Sequence, residues 1–260
     1  MIKSKWLKTK FLLPWYISNA LRQSDIRKTS TSLKNDTTPF LEAGAWWIRK
    51  TDNLSEKLAY KLERQIDMEL AFFDNKTFEH VDFKKKPLKK GEYENCRFQT
   101  CDFSDSDLSQ MKFIECKFIG CNLSLVKLSK TSFRDVQFKD CKMLGLRFDT
   151  CSEFGLSFSF ENCTLNHSTF FQTKIKKTTF KNSQLYETDF IECDLAGSVF
   201  DNCDLTRARF ENTILEKADF RTSFNYIIDP EINRIKKARF SLIGIAGLLA
   251  KYDIEIDDGR

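Results

Sequence analysis

From residue 161 to residue 220 the chain reads, in fives, ENCTL NHSTF FQTKI KKTTF KNSQL YETDF IECDL AGSVF DNCDL TRARF ENTIL EKADF. Every block ends on Leu, Ile or Phe, and Phe160 stands one step before the first. Upstream the same beat runs from Phe73 to Phe148. The two runs hold 16 and 13 large apolar positions with no polar exception, and 17 of these 29 are Phe. An amphipathic helix repeats its apolar positions at 3.6 residues and a half-buried strand at 2, so a period of five fits neither. Sustained self-similarity at a short period marks a stacked repeat whose units bury their faces against neighbours.

Two residues before most of the large residues sits a compact one, such as Cys96 before Phe98, Ser168 before Phe170 or Ala218 before Phe220. A large and a small inward position in each block of five suit a tube of square section, with one block per side and 20 residues per turn. Steps of 20 then sort the second run into columns of one type. Phe160, Phe180, Phe200 and Phe220 make one, and Leu165, Leu185 and Leu205 the next. Phe170, Phe190 and Phe210 make the third, and Ile175, Leu195 and Leu215 the fourth. Rungs about 4.8 Å apart, the β-strand spacing, place like rings within stacking distance.

This motif resembles the pentapeptide-repeat family, and the resemblance implies an all-β solenoid, a right-handed quadrilateral β-helix. The repeat region is expected over residues 68–221, with a phase slip at 149–159 where the beat moves by two residues. The slip reads as a bulge joining two sub-rods, or as a recognition loop on a rigid scaffold.

All nine cysteines occupy the small inward position, which reads as buried thiols filling the core. No CxxC pair occurs, and His80 and His167 fall at outward positions, so neither a metal nor another cofactor is expected. Thiols used as filler suit a reducing cytoplasm. No stretch has the roughly 18 uninterrupted apolar residues of a membrane span. No phosphate loop, HExxH or nucleophile with a neighbouring histidine appears, so no enzyme activity is expected.

Residues 1–67 differ from the rest. They carry 13 basic and 7 acidic residues, all four tryptophans and no cysteine, and they lack the beat. The basic leader reads as partly helical or disordered, with Thr51 to Asp67 as a helix striped by Leu54, Leu58, Leu62 and Ile66. Either Met68 is the true start and the leader an upstream misreading, or the leader is a basic, aromatic arm for a membrane surface or nucleic acid.

Residues 222–260 break the beat and are expected to form a loop, a short helix and a tail strand. Ser241 to Leu249 is apolar nearly all round and must cover the rod's open end, because an open β-rod would polymerise. Leu242, Ile245, Leu248, Leu249, Ile254 and Ile256 are the expected cap and dimer residues. A helix plus strand at this end resembles the dimerising C-terminus of Qnr-type pentapeptide proteins, which implies a homodimer. The same resemblance implies binding of a type II topoisomerase, DNA gyrase or topoisomerase IV, by DNA mimicry, with protection against quinolones and without direct nucleic-acid binding by the rod. The long projecting loops typical of Qnr proteins are missing here.

The acidic candidates for that role are Glu187, Asp189, Glu192, Asp194, Asp201 and Asp204, a stretch without a base. Steps of 20 place Glu187 by Arg207, Asp189 by Arg209 and Lys174 by Asp194. They also align Lys181, Asp201 and Arg221, so opposite charges offset one another. The alternative is a general protein-interaction scaffold using the bulge or the outward apolar residues Phe171, Tyr186 and Ile191.

Overall fold

The structure, a computed structural model, describes residues 71–257. The leader, its helix and Met68 lie outside the described residues. From residue 71 onward the chain winds as a parallel β-helix with four sides to a turn. Eleven short strands form on two of the sides. Strands β1 (Phe72–Asp74), β3 (Glu92–Glu94), β5 (Lys112–Ile114) and β7 (Ser132–Arg134) stack on one side. The second side carries β2 (Thr77–Glu79), β4 (Arg97–Gln99), β6 (Lys117–Ile119), β8 (Val136–Lys139), β9 (Phe158–Glu161), β10 (Thr179–Lys181) and β11 (Val199–Asp201). The other two sides pair through isolated parallel bridges, such as Asp102 with Asn122 and Asp107 with Lys127.

The register is the predicted step of 20, with Phe78 opposite Phe98 and Phe180 opposite Phe200. The pairings across the slip differ: Phe138 lies opposite Phe160, Lys142 bridges Thr164 and Arg147 bridges Thr169, each a step of 22. The column therefore crosses the slip unbroken. From Phe78 to Phe240 nine rings stack with successive centroids 4.6–5.5 Å apart and planes within 6–23° of parallel. Each such pair contributes about 0.5–1.5 kcal/mol beyond burial. The ladder also runs past residue 221, since Ile214 bridges Arg234 and Asp219 bridges Arg239.

The corners explain why five residues suffice for a side. The second residue after most large ones turns through the left-handed region, for example Asn95 (φ 52°), Glu187 (φ 51°) and Gly197 (φ 71°). Asn tolerates that region better than most residues because its short side chain bonds locally. Asn162, Asn182 and Asn202 share one corner and bond in series, Asn182 Nδ2 to Asn162 Oδ1 at 3.2 Å and Asn202 Nδ2 to Asn182 Oδ1 at 2.9 Å.

All nine thiols are free and buried, as the small slot requires. The slot also has a polar use. Cys96 Sγ donates to the Phe73 carbonyl at 3.4 Å, and Thr131 and Thr213 hydroxyls donate to the carbonyls of Leu108 and Phe190 at 2.8 Å, each 23 residues back. Thr, Ser and Cys interchange there because each combines small volume with one donor.

At the C-terminal end Ile243–Ile245 forms a 3-10 turn, Ala246–Leu249 one turn of α-helix (α1), and Ala250–Tyr252 a second 3-10 turn. The tail differs from expectation: residues 253–257 carry no strand. The alternating Ile254 and Ile256 lie exposed, and a strand needs a neighbour to pair with.

Candidate functional site at the phase slip

At the slip the chain has two residues more than the repeat allows. Ser152 still bonds to the rung below through its N–H to the Thr131 carbonyl, and pairing resumes with Phe158 opposite Val136. Residues 153–155 loop outward between, and the Ser157 N–H returns to the Phe133 carbonyl at 3.0 Å. Glu153, which falls on a large-residue position, points to solvent. The interior volume it vacates is filled by Leu156 and by Phe158, a ring in a slot held elsewhere mostly by small residues. Phe158 lies 5.1–6.1 Å from the rings of Phe148, Phe160 and Phe170. The strand ladder of β1, β3, β5 and β7 ends here, because the loop replaces the strand that would extend it; beyond the slip this side pairs through bridges such as Lys174 with Asp194.

The loop's crest is Phe154, 76% exposed. Its ring lies 5.0 Å from the Arg134 guanidinium carbon, a cation–π contact that orients both groups. Arg134 Nε is buried without a hydrogen-bond partner. Gly155 (φ 69°) allows the turn, in a left-handed conformation that a side chain would strain, and a Cβ there would touch Arg134 at 3.4–3.6 Å. A cleft flanks the loop on each side. One, of about 340 Å³, is lined by Asp135, Gln137, Ser157, Ser159, Lys176 and Lys177 among others. The other, of about 300 Å³, is lined by Arg147, Asp149, Glu153, Leu156, Phe171 and Gln172 among others.

The structure thus brings Phe171 to the slip. Ile191 follows it on the next rung of the same outward column, with the Gln172 N–H bonded to the Ile191 carbonyl at 3.0 Å. Tyr186 stands on the neighbouring side, engaged with Arg207, whose Nη1 donates to its hydroxyl at 2.9 Å, and with the ring of His167.

The six acids do not converge. Asp201, Asp204, Asp189 and Asp194 each lie on a different side of the tube, beside Phe200, Leu205, Phe190 and Leu195, while Glu187 and Glu192 occupy two corners. Two of the expected pairs form, Arg207 with Glu187 at 3.0 Å and Arg209 with Asp189 at 4.0 Å. The others re-partner. Asp194 takes Lys176 at 3.1 Å instead of Lys174, Lys181 takes Glu161 at 3.9 Å, and Arg221 takes Asp219 at 2.8 Å. Long basic side chains reach along their own strand or to the previous rung as easily as straight up the column, so spacing alone does not fix the partner. Asp201 accepts from the Thr222 hydroxyl at 2.9 Å, and Glu192 from Gln172 Nε2 at 2.7 Å. Burial works against the Asp204 charge, but hydrogen bonds from Thr206 and Asn225 outweigh it and hold the carboxyl below its ordinary range. Glu187 is held low by hydrogen bonds from Tyr186 and Arg207.

A family model described as pentapeptide repeat region matches residues 91–158 and 156–224. The chain belongs to the pentapeptide-repeat family. Among solved pentapeptide-repeat and related structures it is similar to full-length QnrB1, a plasmid-mediated fluoroquinolone resistance protein, at 17% identity. That match covers 71% of this chain and all of the other, with a TM-score of 0.39. It is also similar to HetL from the cyanobacterium Nostoc sp. strain PCC 7120, a pentapeptide-repeat protein involved in heterocyst differentiation regulation. There the identity is 12%, the coverage 69% of this chain and 92% of the other, and the TM-score 0.26. No curated protein matches.

The C-terminal end of this pentapeptide-repeat chain is docked by residues that the five-residue beat does not mark. Tyr226 and Ile228 are buried, and Gly244 and Gly247 lie so close to Tyr226 that a Cβ at either would collide with it. The Ile228 N–H bonds to the Gly247 carbonyl at 3.0 Å. Lys251 clamps the segment to Asp229 and Glu231 at 2.9 and 2.6 Å. Of the expected cap residues, Leu248 packs on the core and Leu249 is half-buried. Leu242, Ile245, Ile254 and Ile256 stay exposed. Among the described residues no helix is long and apolar enough to cross a membrane.

Proposed function

We propose that this chain is a non-enzymatic protein-binding rod whose contact surface is the phase slip. One observation carries the reading: Phe154 is presented at the crest of a loop, backed by Arg134 and flanked by two clefts, on an otherwise regular ladder. An exposed aromatic anchor beside concave, partly polar surface is the kind of feature around which interface energy concentrates. Phe171 and Ile191 extend the surface up one side. The free thiols fit a reducing, cytoplasmic setting.

The same end that carries the cap supplies a second contact. Leu242 (86% exposed), Ile243, Ile254 and Ile256 are exposed apolar side chains there. A second copy covering them gives a homodimer and supplies the missing neighbour for the tail. Light scattering at micromolar concentration tests this, and a monomer there rules it out.

The topoisomerase reading requires a continuous negative face. The six acids lie on different sides, and most meet bases or hydroxyl and amide donors, so a DNA-like stripe is not their arrangement. Purified gyrase challenged with ciprofloxacin in a supercoiling assay separates the readings: protection by micromolar rod would restore the topoisomerase. For the slip, a photo-crosslinker placed at residue 154 should trap a protein partner in native extract, and Phe171→Ser should weaken the capture. A probe at 154 that traps nothing while one at Tyr186 does would move the contact elsewhere.

A further inference from the structure

Four cysteines, Cys101, Cys121, Cys141 and Cys163, occupy the small slot on four successive rungs of one side. Their backbones follow the register that pairs Asp102 with Asn122, Asn122 with Lys142 and Lys142 with Thr164. All four thiols donate in the same sense, to the carbonyls of Phe78, Phe98, Phe118 and Phe138 at 3.4–3.5 Å. Parallel side chains in equivalent conformations on adjacent rungs repeat at the strand spacing, about 4.8 Å. A second, shorter column holds Cys96 and Cys116, whose thiols donate to the carbonyls of Phe73 and Tyr93.

Among the described residues no three His, Cys, Asp or Glu side chains gather so as to hold a metal ion. The three- and four-ligand sites that zinc takes are therefore not on offer. What the columns provide is pairs of thiols in line. Two metal–sulfur bonds of about 2.3 Å laid end to end span about 4.6 Å, close to the rung spacing. Thiolate is the ligand class that selects soft ions, Cu(I) foremost.

We propose that the stacked thiols form linear two-coordinate sites for a soft monovalent ion of the copper(I) type, each site bridging two rungs. Every site forms two metal–sulfur bonds and breaks two S–H bonds, and the two protons pass to water. The metal keeps its oxidation state, so no oxidant or reductant is consumed. The route in is short. Each thiol of the four-membered column directly follows a corner residue, Thr100, Gly120, Asp140 or Asn162, so the column lies just inside one edge of the rod. At Gly120 no side chain covers that edge.

The next positions of the same column hold Ser183, Cys203 and Ser223, all buried. They supply both a safe substitution and a control. Serine already fills this slot, so Cys141→Ser should fold. Cys203, with serines on both neighbouring rungs, has no thiol partner.

The test is anaerobic titration of the full chain with Cu(I) against bicinchoninate, with stoichiometry read by native mass spectrometry and folding by circular dichroism. The folded protein should retain about three Cu(I) ions per chain, two along the long column and one on the short. Cys141→Ser should lose one, Cys121→Ser should also lose one, and Cys203→Ser none. Zn(II) should not be retained. Failure of the folded wild-type chain to hold Cu(I) against the chelator overturns the proposal. So does equal retention in all folded variants, retention of Zn(II) as strong as that of Cu(I), or copper uptake only with loss of the β signal.

Discussion

The rod before the slip and the rod after it keep one beat with different filling. Before it, the side carrying β1, β3, β5 and β7 is aromatic. Phe73, Tyr93, Phe113 and Phe133 stack at 4.6–5.6 Å and meet the second aromatic column edge-on, as Phe98 meets Phe113. After it, the same side is aliphatic, with Ile175, Leu195 and Leu215. The aromatic partner of the long column is now the opposite side, Phe170, Phe190 and Phe210, again edge-on at 5.9–6.0 Å. The small slots change as well, from a mixture of thiols, hydroxyls and aliphatic side chains to mostly hydroxyls. A square tube needs a fixed interior volume per turn but does not dictate which sides supply it. The slip is where one solution meets the other, and Phe158, a ring in a small slot, fills the rung that belongs fully to neither.

The most severe way to probe that comparison is to empty each half. Phe118→Ala and Phe180→Ala each remove a fully buried ring, and each should cost about 3–5 kcal/mol. Urea unfolding should show one transition for both. Two separated transitions, each moved by only one variant, would make the halves independent and the slip a domain boundary. Phe158→Ala attacks the junction itself and should cost about 3 kcal/mol. A loss under 1 kcal/mol would mean that Leu156 alone fills the rung. Gly155→Val forces a β-branched residue into the left-handed region beside Arg134 and should cost about 1–2 kcal/mol. Hydrogen exchange should place the opening at residues 153–157, not along the ladder.

A milder effect concerns pH. Hydrogen bonds from Lys251 hold Asp229 and Glu231 below their ordinary values of 3.8 and 4.5. Depressed carboxylates stabilise above their unfolded values and lose that contribution as pH falls through the folded ones. The clamp should hold at neutral pH and loosen as pH drops below about 4. Exchange at residues 242–252 should then rise before any in the rod. Equal protection at pH 3 and pH 7 would remove the clamp from the account. The smallest effect on stability is expected for Phe154→Ser, under about 0.5 kcal/mol for an exposed side chain. Its consequence should appear in partner capture, and a large loss of stability would reassign Phe154 from contact to scaffold.

The ladder, its square section and the placing of nine thiols were legible in the sequence because each rung buries the same two positions. A period of five repeated 29 times leaves no other economical burial. The slip was legible as a change of phase, but not as a surface. That Glu153 faces out, that Phe158 turns in and that Phe154 rides on Arg134 depend on how two surplus residues are accommodated in three dimensions. The charges show the same limit. Glu187 and Arg207 pair as the step of 20 requires, whereas Asp194 chooses Lys176, because flexible side chains reach several partners at similar cost.

The cap divides in the same way. An apolar segment after a β-rod announces that the open end is covered. Only the folded chain shows that Gly244 and Gly247 do the docking on Tyr226, while Leu242 and Ile254 remain outside. By itself the sequence determined everything enforced by repetition, since each unit's burial is copied by the next. The tertiary structure decided what happens where repetition fails, at the slip, at the cap and among the charges, because there the outcome depends on contacts that no period encodes.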